Sequence, residues 1–539
     1  FKGILRIEND LNFRELLLLG FIFLITIYFC YFHLEYSEFI ADEAEVAFFS
    51  KDLIIGNSDA VFSYLKGPTQ LLVPIPYIIL HGYWTELVLR VPFAFAGTID
   101  VFLIFILAKR MFSKTVGLTS SLLYSVTGFN IAFTRLAQYQ TILTMTMLLS
   151  MLFLYEALKS KKTETTIRKN TEQNFLLGSF FFAFGIFTHY DMIFFSFPII
   201  FFFYRLFDLK YFYKDRVSYL ALFLFIFFTS IFYVPFVLNP EFTNTVDYYL
   251  QHRVGVGSPP IINLGWLLAS LSLYSSSYLA LFLLICPFFN FLKRNLTIEL
   301  TILIIWFFSF FIPYTLILRR PGSHFYTFFP SWTILSILGL NQLYNVIMEK
   351  RIDAKKDIPF KNLKLNILKI SIFMILFLSL LIPIYYSHMV YIDHESLYVY
   401  SYPENKNEFY FDLHPLEELG WKFGFPYKVG WKVIGFLFKS QQLIGPYFTN
   451  EDPRVPDFYT DQQPSKVNVR YYLLVKYIWN EVELNETHIK TTYNLIGIVY
   501  VNNKPTISIY ETTSPIDDNY TRYDLEAYEK DYDLRYRKI

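Results

Sequence analysis

Apolar residues run along this chain in blocks too long for ordinary core helices and close to the roughly 20 residues that cross a bilayer. The blocks fall at roughly 15–34, 87–109, 116–135, 140–157, 174–188, 190–207, 217–238, 265–291, 299–318, 325–346 and 367–388. They predict a mainly α, polytopic membrane protein with about eleven transmembrane helices. Residues 69–84 (TQLLVPIPYIILHGYW) are also apolar, but Pro74 and Pro76 interrupt them, so they read as a helix lying in the interface. Near residue 389 the pattern changes. The remainder is rich in Asp, Glu, Asn, Pro and Tyr and contains no further block. It has strand-like pieces at 397–402, 470–477 and 494–511, the last reading as a hairpin around NNKP, and an amphipathic helix at 430–442. The expected organisation is a transmembrane domain over 1–388, with an outward loop at 35–86, and an α/β extracytoplasmic domain over 389–539.

Charge adds orientation. The net charge of the 539 residues is only +1, which gives no argument for nucleic acid as a partner. Lys and Arg instead concentrate in alternate short loops: Lys109, Arg110 and Lys114; Lys159, Lys161, Lys162, Arg168 and Lys169; Arg205, Lys210, Lys214 and Arg216; Lys293 and Arg294; and the group from Lys350 to Lys364. The positive-inside rule makes these loops cytoplasmic, provided that 69–84 does not cross. The N-terminus is then cytoplasmic and the first span an uncleaved anchor. The acidic stretch after that span, the loop 239–264, the turn 319–324 and the C-terminal region all face outward. This is the topology expected of a multi-pass plasma-membrane protein. Cys30 and Cys286 both lie in apolar blocks and read as small buried residues.

Five features share the outward side. The stretch EYSEFIADEAEVAFFSKD at 35–52 places Asp42 and Glu45 on one helical face, with Glu43 pointing elsewhere. A carboxylate at a membrane surface is partly desolvated, which suits Asp42 to accept a proton. Glu35, Glu38 and Glu45 read as solvated or capping surface. In FTRLAQYQT, Arg135 is either a headgroup anchor or a phosphate ligand, with Gln140 close behind. In THYD, His189 and Asp191 interrupt an apolar block, which is costly unless they pair or line a cavity, as metal ligands or sugar-positioning groups. In LRRPGSHFYTFFP, Arg319, Arg320, His324 and Tyr326 suit a lipid-linked phosphate. The loop 239–264 is a candidate lid.

The order of these features resembles the GT-C superfamily of membrane glycosyltransferases, in the branch of protein O-mannosyltransferases and lipid A aminoarabinose transferases (glycosyltransferase family 39-like). The likeness covers about 1–350. It rests on Asp42-Glu43 opening the first outward loop, the proline-bearing segment 68–82, LRVPFAFAGT at 89–98, Arg135 before the fourth span and the polar-to-aromatic turn 319–330. Where the family shows an acidic residue after that Arg, this chain has Gln140. The resemblance implies an inverting glycosyltransferase that moves a sugar, mannose-like or another hexose or pentose, from a polyprenyl-phosphate donor to a glycan, lipid or protein acceptor on the outer face. By the same resemblance Asp42 is the catalytic base and Glu43 positions the base or the acceptor. Arg135, Arg319, Arg320 and His324 hold the lipid phosphate. No cofactor is obligatory, and a divalent metal is permitted rather than indicated. Two rivals stand beside this reading: a transporter or flippase of a lipid-linked saccharide, and a non-catalytic subunit of a glycosylation complex.

Overall fold

The structure is a computed structural model. It describes residues 11–64, 66–161, 168–206, 216–240, 242–248, 250, 260–292, 296–318, 322–353, 361–393, 423–476, 482–513 and 519–537. Five helices are long and apolar enough to cross a membrane: Phe13–Tyr31, Glu86–Met111, Gln140–Ser160, Arg216–Leu238 and Ile298–Leu316. A sixth span counts if the helices Lys114–Ser125 and Gly128–Thr134, bent by 60° at their junction, are taken together. By this measure the described residues give five or six spans, and the expected eleven are not confirmed.

The blocks at 174–188, 325–346 and 367–388 do lie in long helices, Arg168–Thr188, Phe329–Asp353 and Lys361–His388, and local breaks account for part of the difference. The block at 190–207 divides into a 3-10 turn, Tyr190–Phe195, and a short helix, Ser196–Leu206. The block at 265–291 is broken within Pro260–Ile285 by Ser276, at φ 64°, and passes into a 3-10 turn at Cys286–Leu292. The block at 325–346 begins in the 3-10 turn Gly322–Phe328 before the helix Phe329–Asp353. Residues 69–84 form two short helices, Thr69–Leu72 and Ile75–His81, each begun by a proline. An apolar run therefore locates helix-forming sequence without fixing whether the helix is continuous.

The C-terminal region forms a five-stranded mixed sheet. Its strands are β1 (Tyr447–Thr449), β2 (Tyr471–Val475), β3 (Asn494–Val501), β4 (Lys504–Glu511) and β5 (Thr521–Asp524), in the order β1-β2-β4-β3-β5. The expected hairpin is β3–β4. Asn502 and Asn503 make its turn, with φ of 48° and 61°, the double positive φ that matches strand twist in two-residue hairpins. The expected amphipathic helix is Trp431–Lys439. It packs with Arg454–Thr460 and Leu525–Tyr536. Strand-like residues 397–402 lie outside the described residues.

Two buried carboxylates join this region to the helices. Glu86, at the start of Glu86–Met111, meets Lys432 Nζ at 3.1 Å, Arg537 Nη2 at 3.0 Å and the Tyr459 hydroxyl at 2.7 Å. Glu38, read from sequence as solvated or helix-capping surface, is buried and caps a helix. Its carboxylate accepts the N–H groups of Val429, Gly430 and Lys432, at 2.9, 2.9 and 3.1 Å, and so caps Trp431–Lys439. The first N–H groups of a helix have no intrahelical partner, and the helix dipole favours an anion there. Glu38 supplies it from more than 390 residues away in sequence.

Candidate functional site

The site begins with two buried arginines that fix the segment after the first helix. Arg135 donates Nη1 to the carbonyls of Phe29 and Phe32, both at 2.9 Å, and Nη2 to that of His33 at 2.8 Å. It thereby closes the C-terminal end of Phe13–Tyr31 with a cation, where the dipole wants one. Arg90 donates Nη1 to the carbonyls of Leu34 and Ser37, and Nη2 to that of Glu38. Its remaining donors make a two-pronged contact with Glu43, at 2.9 and 2.7 Å. Glu43 also accepts the N–H of Ala137 at 2.8 Å. Both side chains are 1% exposed or less.

With Glu43 turned inward, the helix Ala41–Ile54 presents Asp42 and Glu45 on another face. Asp42 Oδ2 lies 3.1 Å from Lys66 Nζ, and Oδ1 lies 3.3 Å from Arg454 Nη1. The same Arg454 nitrogen is 2.8 Å from Glu45. Burial pushes the Asp42 carboxyl up, but Lys66, Arg454 and Gln138 outweigh it and hold the group below its ordinary range. Glu45 goes the other way, raised by burial and by the charge of Asp42.

Lys66 owes its place to Gly67. A Cβ on Gly67 would stand 2.3 Å from the carbonyl oxygens of both Phe187 and Thr188, so the backbone can press there only as glycine. This approach brings Lys66 beside the THYD turn, with Nζ 5.6 Å from the centre of the Tyr139 ring. Tyr139 stacks parallel on His189 at 3.8 Å. The amide of Asp191 donates to His189 Nδ1 at 3.1 Å, which leaves the proton of that ring on Nε2, a buried atom with no protein partner. His324 Nδ1 donates to Asp191 Oδ2 at 2.6 Å. Asp191 thus links His189, two positions away, with His324, 133 positions away.

Of the residues expected from sequence, Asp42, His189, Asp191 and His324 come together around Lys66 and Tyr139. Glu43, expected to act beside Asp42, is a buried partner of Arg90. Arg135, expected at a phosphate, is spent on backbone carbonyls. Gln140 and Tyr326 line a separate small cavity with Asp100. Arg319 and Arg320 lie outside the described residues, as do 241, 249 and 251–259 of the loop 239–264. Sequence reading missed Lys66, Arg90 and Arg454. Arg90 was visible in LRVP, and Lys66 is the cation between the acidic stretch and the 69–84 segment. Arg454 carries no local signal. Among the described residues no group of three or more His, Cys, Asp or Glu stands in position to hold a metal ion.

Residues 77–234 match the family described as dolichyl-phosphate-mannose-protein mannosyltransferase. Crystal structures of ArnT from Cupriavidus metallidurans share the fold at 12% sequence identity. The apo form aligns over 93% of this chain and 98% of its own, with a TM-score of 0.59. The form bound to undecaprenyl phosphate aligns over 94% and 99%, with a TM-score of 0.58. No curated protein sequence matches the chain.

Proposed function

We propose that this chain, which resembles the GT-C membrane glycosyltransferases of the protein O-mannosyltransferase and ArnT branch, is an inverting glycosyltransferase using a polyprenyl-phosphate sugar. One observation carries the reading. Asp42 is a carboxylate kept ionised beside Lys66, and Lys66 leads through the Tyr139 ring to the cluster of His189, Asp191 and His324. A base, a cation and buried imidazole donors on one side of a membrane fold suit transfer of a sugar away from a phosphate.

In the proposed reaction the acceptor hydroxyl attacks the anomeric carbon. Its proton passes to Asp42, and the bond from that carbon to the phosphate oxygen breaks. The phosphate leaves on its lipid with the bonding electrons, and the configuration inverts. Lys66 and the His189 Nε2–H are the groups placed to receive the phosphate. Lys66 also links binding to basicity. In the free protein it holds Asp42 charged and weakly basic. A phosphate that draws Lys66 away removes a cation from Asp42 and raises its affinity for a proton. No metal is needed in this scheme, because the leaving group carries its own charge. Arg319 and Arg320 remain candidates for the same phosphate.

The test is a transfer assay with the purified full chain, a polyprenyl-phosphate sugar and a hydroxyl acceptor. Transfer by the intact protein and its loss in Asp42→Asn, with unchanged thermal unfolding, supports the reading. Full activity in Asp42→Asn removes Asp42 from the chemistry. Transport of a lipid-linked saccharide without transfer favours the flippase alternative.

A further inference from the structure

Asp100 stands fourteen residues into the helix Glu86–Met111, about 20 Å from its start at 1.5 Å per residue. It is fully buried, and neither carboxylate oxygen has a hydrogen-bond partner. It lines a cavity of about 10 Å³, the room of roughly one water-sized occupant. Four other buried polar atoms on the same walls are also unpartnered: Gln140 Oε1, Thr141 Oγ1, Tyr326 Oη and Asn130 Nδ2. The rest of the wall includes Phe129, Phe133 and Phe329. An isolated carboxylate in such surroundings is expensive, and it is normally neutralised by a proton or a cation.

The set of atoms decides between them. A proton on Asp100 adds a single donor to the set, whereas the oxygens of Asp100, Gln140, Thr141 and Tyr326 are all of the kind that ligates a hard cation. A small cation in the cavity would have the Asp100 carboxylate, the Gln140 carbonyl and the Thr141 and Tyr326 hydroxyls on its walls. Rotating the Asn130 carboxamide end for end adds a fifth oxygen source. The single formal negative charge matches a monovalent ion. Mg²⁺ and Ca²⁺ would arrive with an uncompensated charge, and the cavity is too small for the waters that Mg²⁺ keeps. We propose that the cavity between Asp100, Gln140, Thr141 and Tyr326 is a binding site for a small monovalent cation, of which Na⁺ is the probe to use. The lining of this cavity includes neither Asp42 nor Lys66, and the proposal does not depend on the reaction proposed for them.

The experiment is thermal unfolding of the full chain in detergent, in choline buffer titrated with Na⁺, with K⁺ and Mg²⁺ as comparisons at matched ionic strength. The expected result is a saturable upward shift in midpoint with Na⁺, abolished in Asp100→Asn. Thr141→Val keeps the carboxylate and should raise the half-saturating Na⁺ concentration several-fold, which guards against Asp100→Asn simply altering the fold. Equal responses of the intact protein and Asp100→Asn overturn the proposal. So does an infrared band of a protonated Asp100 carboxyl that persists at saturating Na⁺, which would assign the cavity to a proton and a water. Neither readout uses sugar transfer.

Discussion

Arg454 reaches 412 positions back along the chain to Asp42, its Nη1 3.3 Å from Oδ1. It is aimed there by Asp452, which takes Nε at 2.9 Å and Nη2 at 2.8 Å. Glu45 shares the same Nη1 at 2.8 Å. Burial would pull the guanidinium down, but Asp452, Glu45 and Asp42 hold it above its ordinary value. The C-terminal region is therefore part of the electrostatics of the acidic stretch: Arg454 favours the charged form of both carboxyls, while Lys66 at Asp42 and the charge of Asp42 beside Glu45 set the two apart in acidity.

That balance predicts a pH effect. The Asp42 carboxyl is held below its ordinary value, so its contribution to stability is present above the unfolded value, about 3.9, and is lost as pH falls through the lower folded one. In the intact protein the acid limb of kcat/KM assigned to Asp42 should fall below about pH 4. Lys66→Met removes one cation that favours the charged form, so the limb should move upward. Rate–pH profiles of the two proteins check the sign. A limb that stays in place or moves down in Lys66→Met would detach Lys66 from Asp42.

Glu43 and Asp42 are adjacent in sequence yet should fail in different ways when neutralised. Glu43→Gln leaves the fully buried Arg90 without its counter-charge, a change that costs about 3–5 kcal/mol in comparable pairs. The expected outcome is a large fall in thermal stability or in yield of folded protein. Asp42→Asn, on a side chain 22% exposed, should unfold close to the intact protein. If Glu43→Gln unfolds normally and loses only transfer, Glu43 belongs to the chemistry after all.

What the sequence made legible follows from the range of each interaction. Span-length apolar runs, the NNKP hairpin and the amphipathic 430–442 segment are local patterns, and each produced an element in place. The shared face of Asp42 and Glu45 is also local, set by three residues of helical spacing. His189 and Asp191 stand out in the sequence because charge inside an apolar block is costly, and His324 because it follows two arginines at a membrane edge. Their assembly was not visible, since it depends on how Gly322–Phe328 folds back on the THYD turn. Arg135 and Arg90 show the opposite limit. An arginine at a membrane edge looks the same in sequence whether it meets a phosphate or three backbone carbonyls. Glu38 reads as surface because its three N–H donors lie more than 390 residues downstream.

Glu38→Gln should loosen the seating of the C-terminal region. The carboxylate uses Oε2 for Val429 and Gly430 and Oε1 for Lys432. A carboxamide has one acceptor oxygen, and its NH₂ would face an N–H donor, so at least one bond is lost along with the charge. A buried donor left unsatisfied costs about 1–3 kcal/mol. Hydrogen exchange should therefore quicken across 428–439 in Glu38→Gln relative to the intact protein. Unchanged protection there would show that the Glu86–Lys432–Arg537 contacts alone hold this helix.

Asp191 is the last test, because it touches both imidazoles and neither Asp42 nor Lys66. Asp191→Asn keeps the size of the side chain but removes the charge that orients the Nδ1–H of His324. A hydrogen bond to a charged group contributes about 1.5–3 kcal/mol. If that orientation matters only when the leaving phosphate gathers charge, kcat should fall by about 10- to 150-fold, at about 1.4 kcal/mol per tenfold. KM would change little, since the ground-state donor is bound by other groups. A purely structural Asp191 predicts a different pattern: a lower unfolding midpoint with an unchanged kcat per folded molecule. His324→Gln should reproduce the kinetic loss, because it deletes the oriented imidazole directly. Agreement between the two variants would place the pair at the leaving group. A loss in Asp191→Asn alone would shift the role to His189, whose Nε2–H has no protein partner.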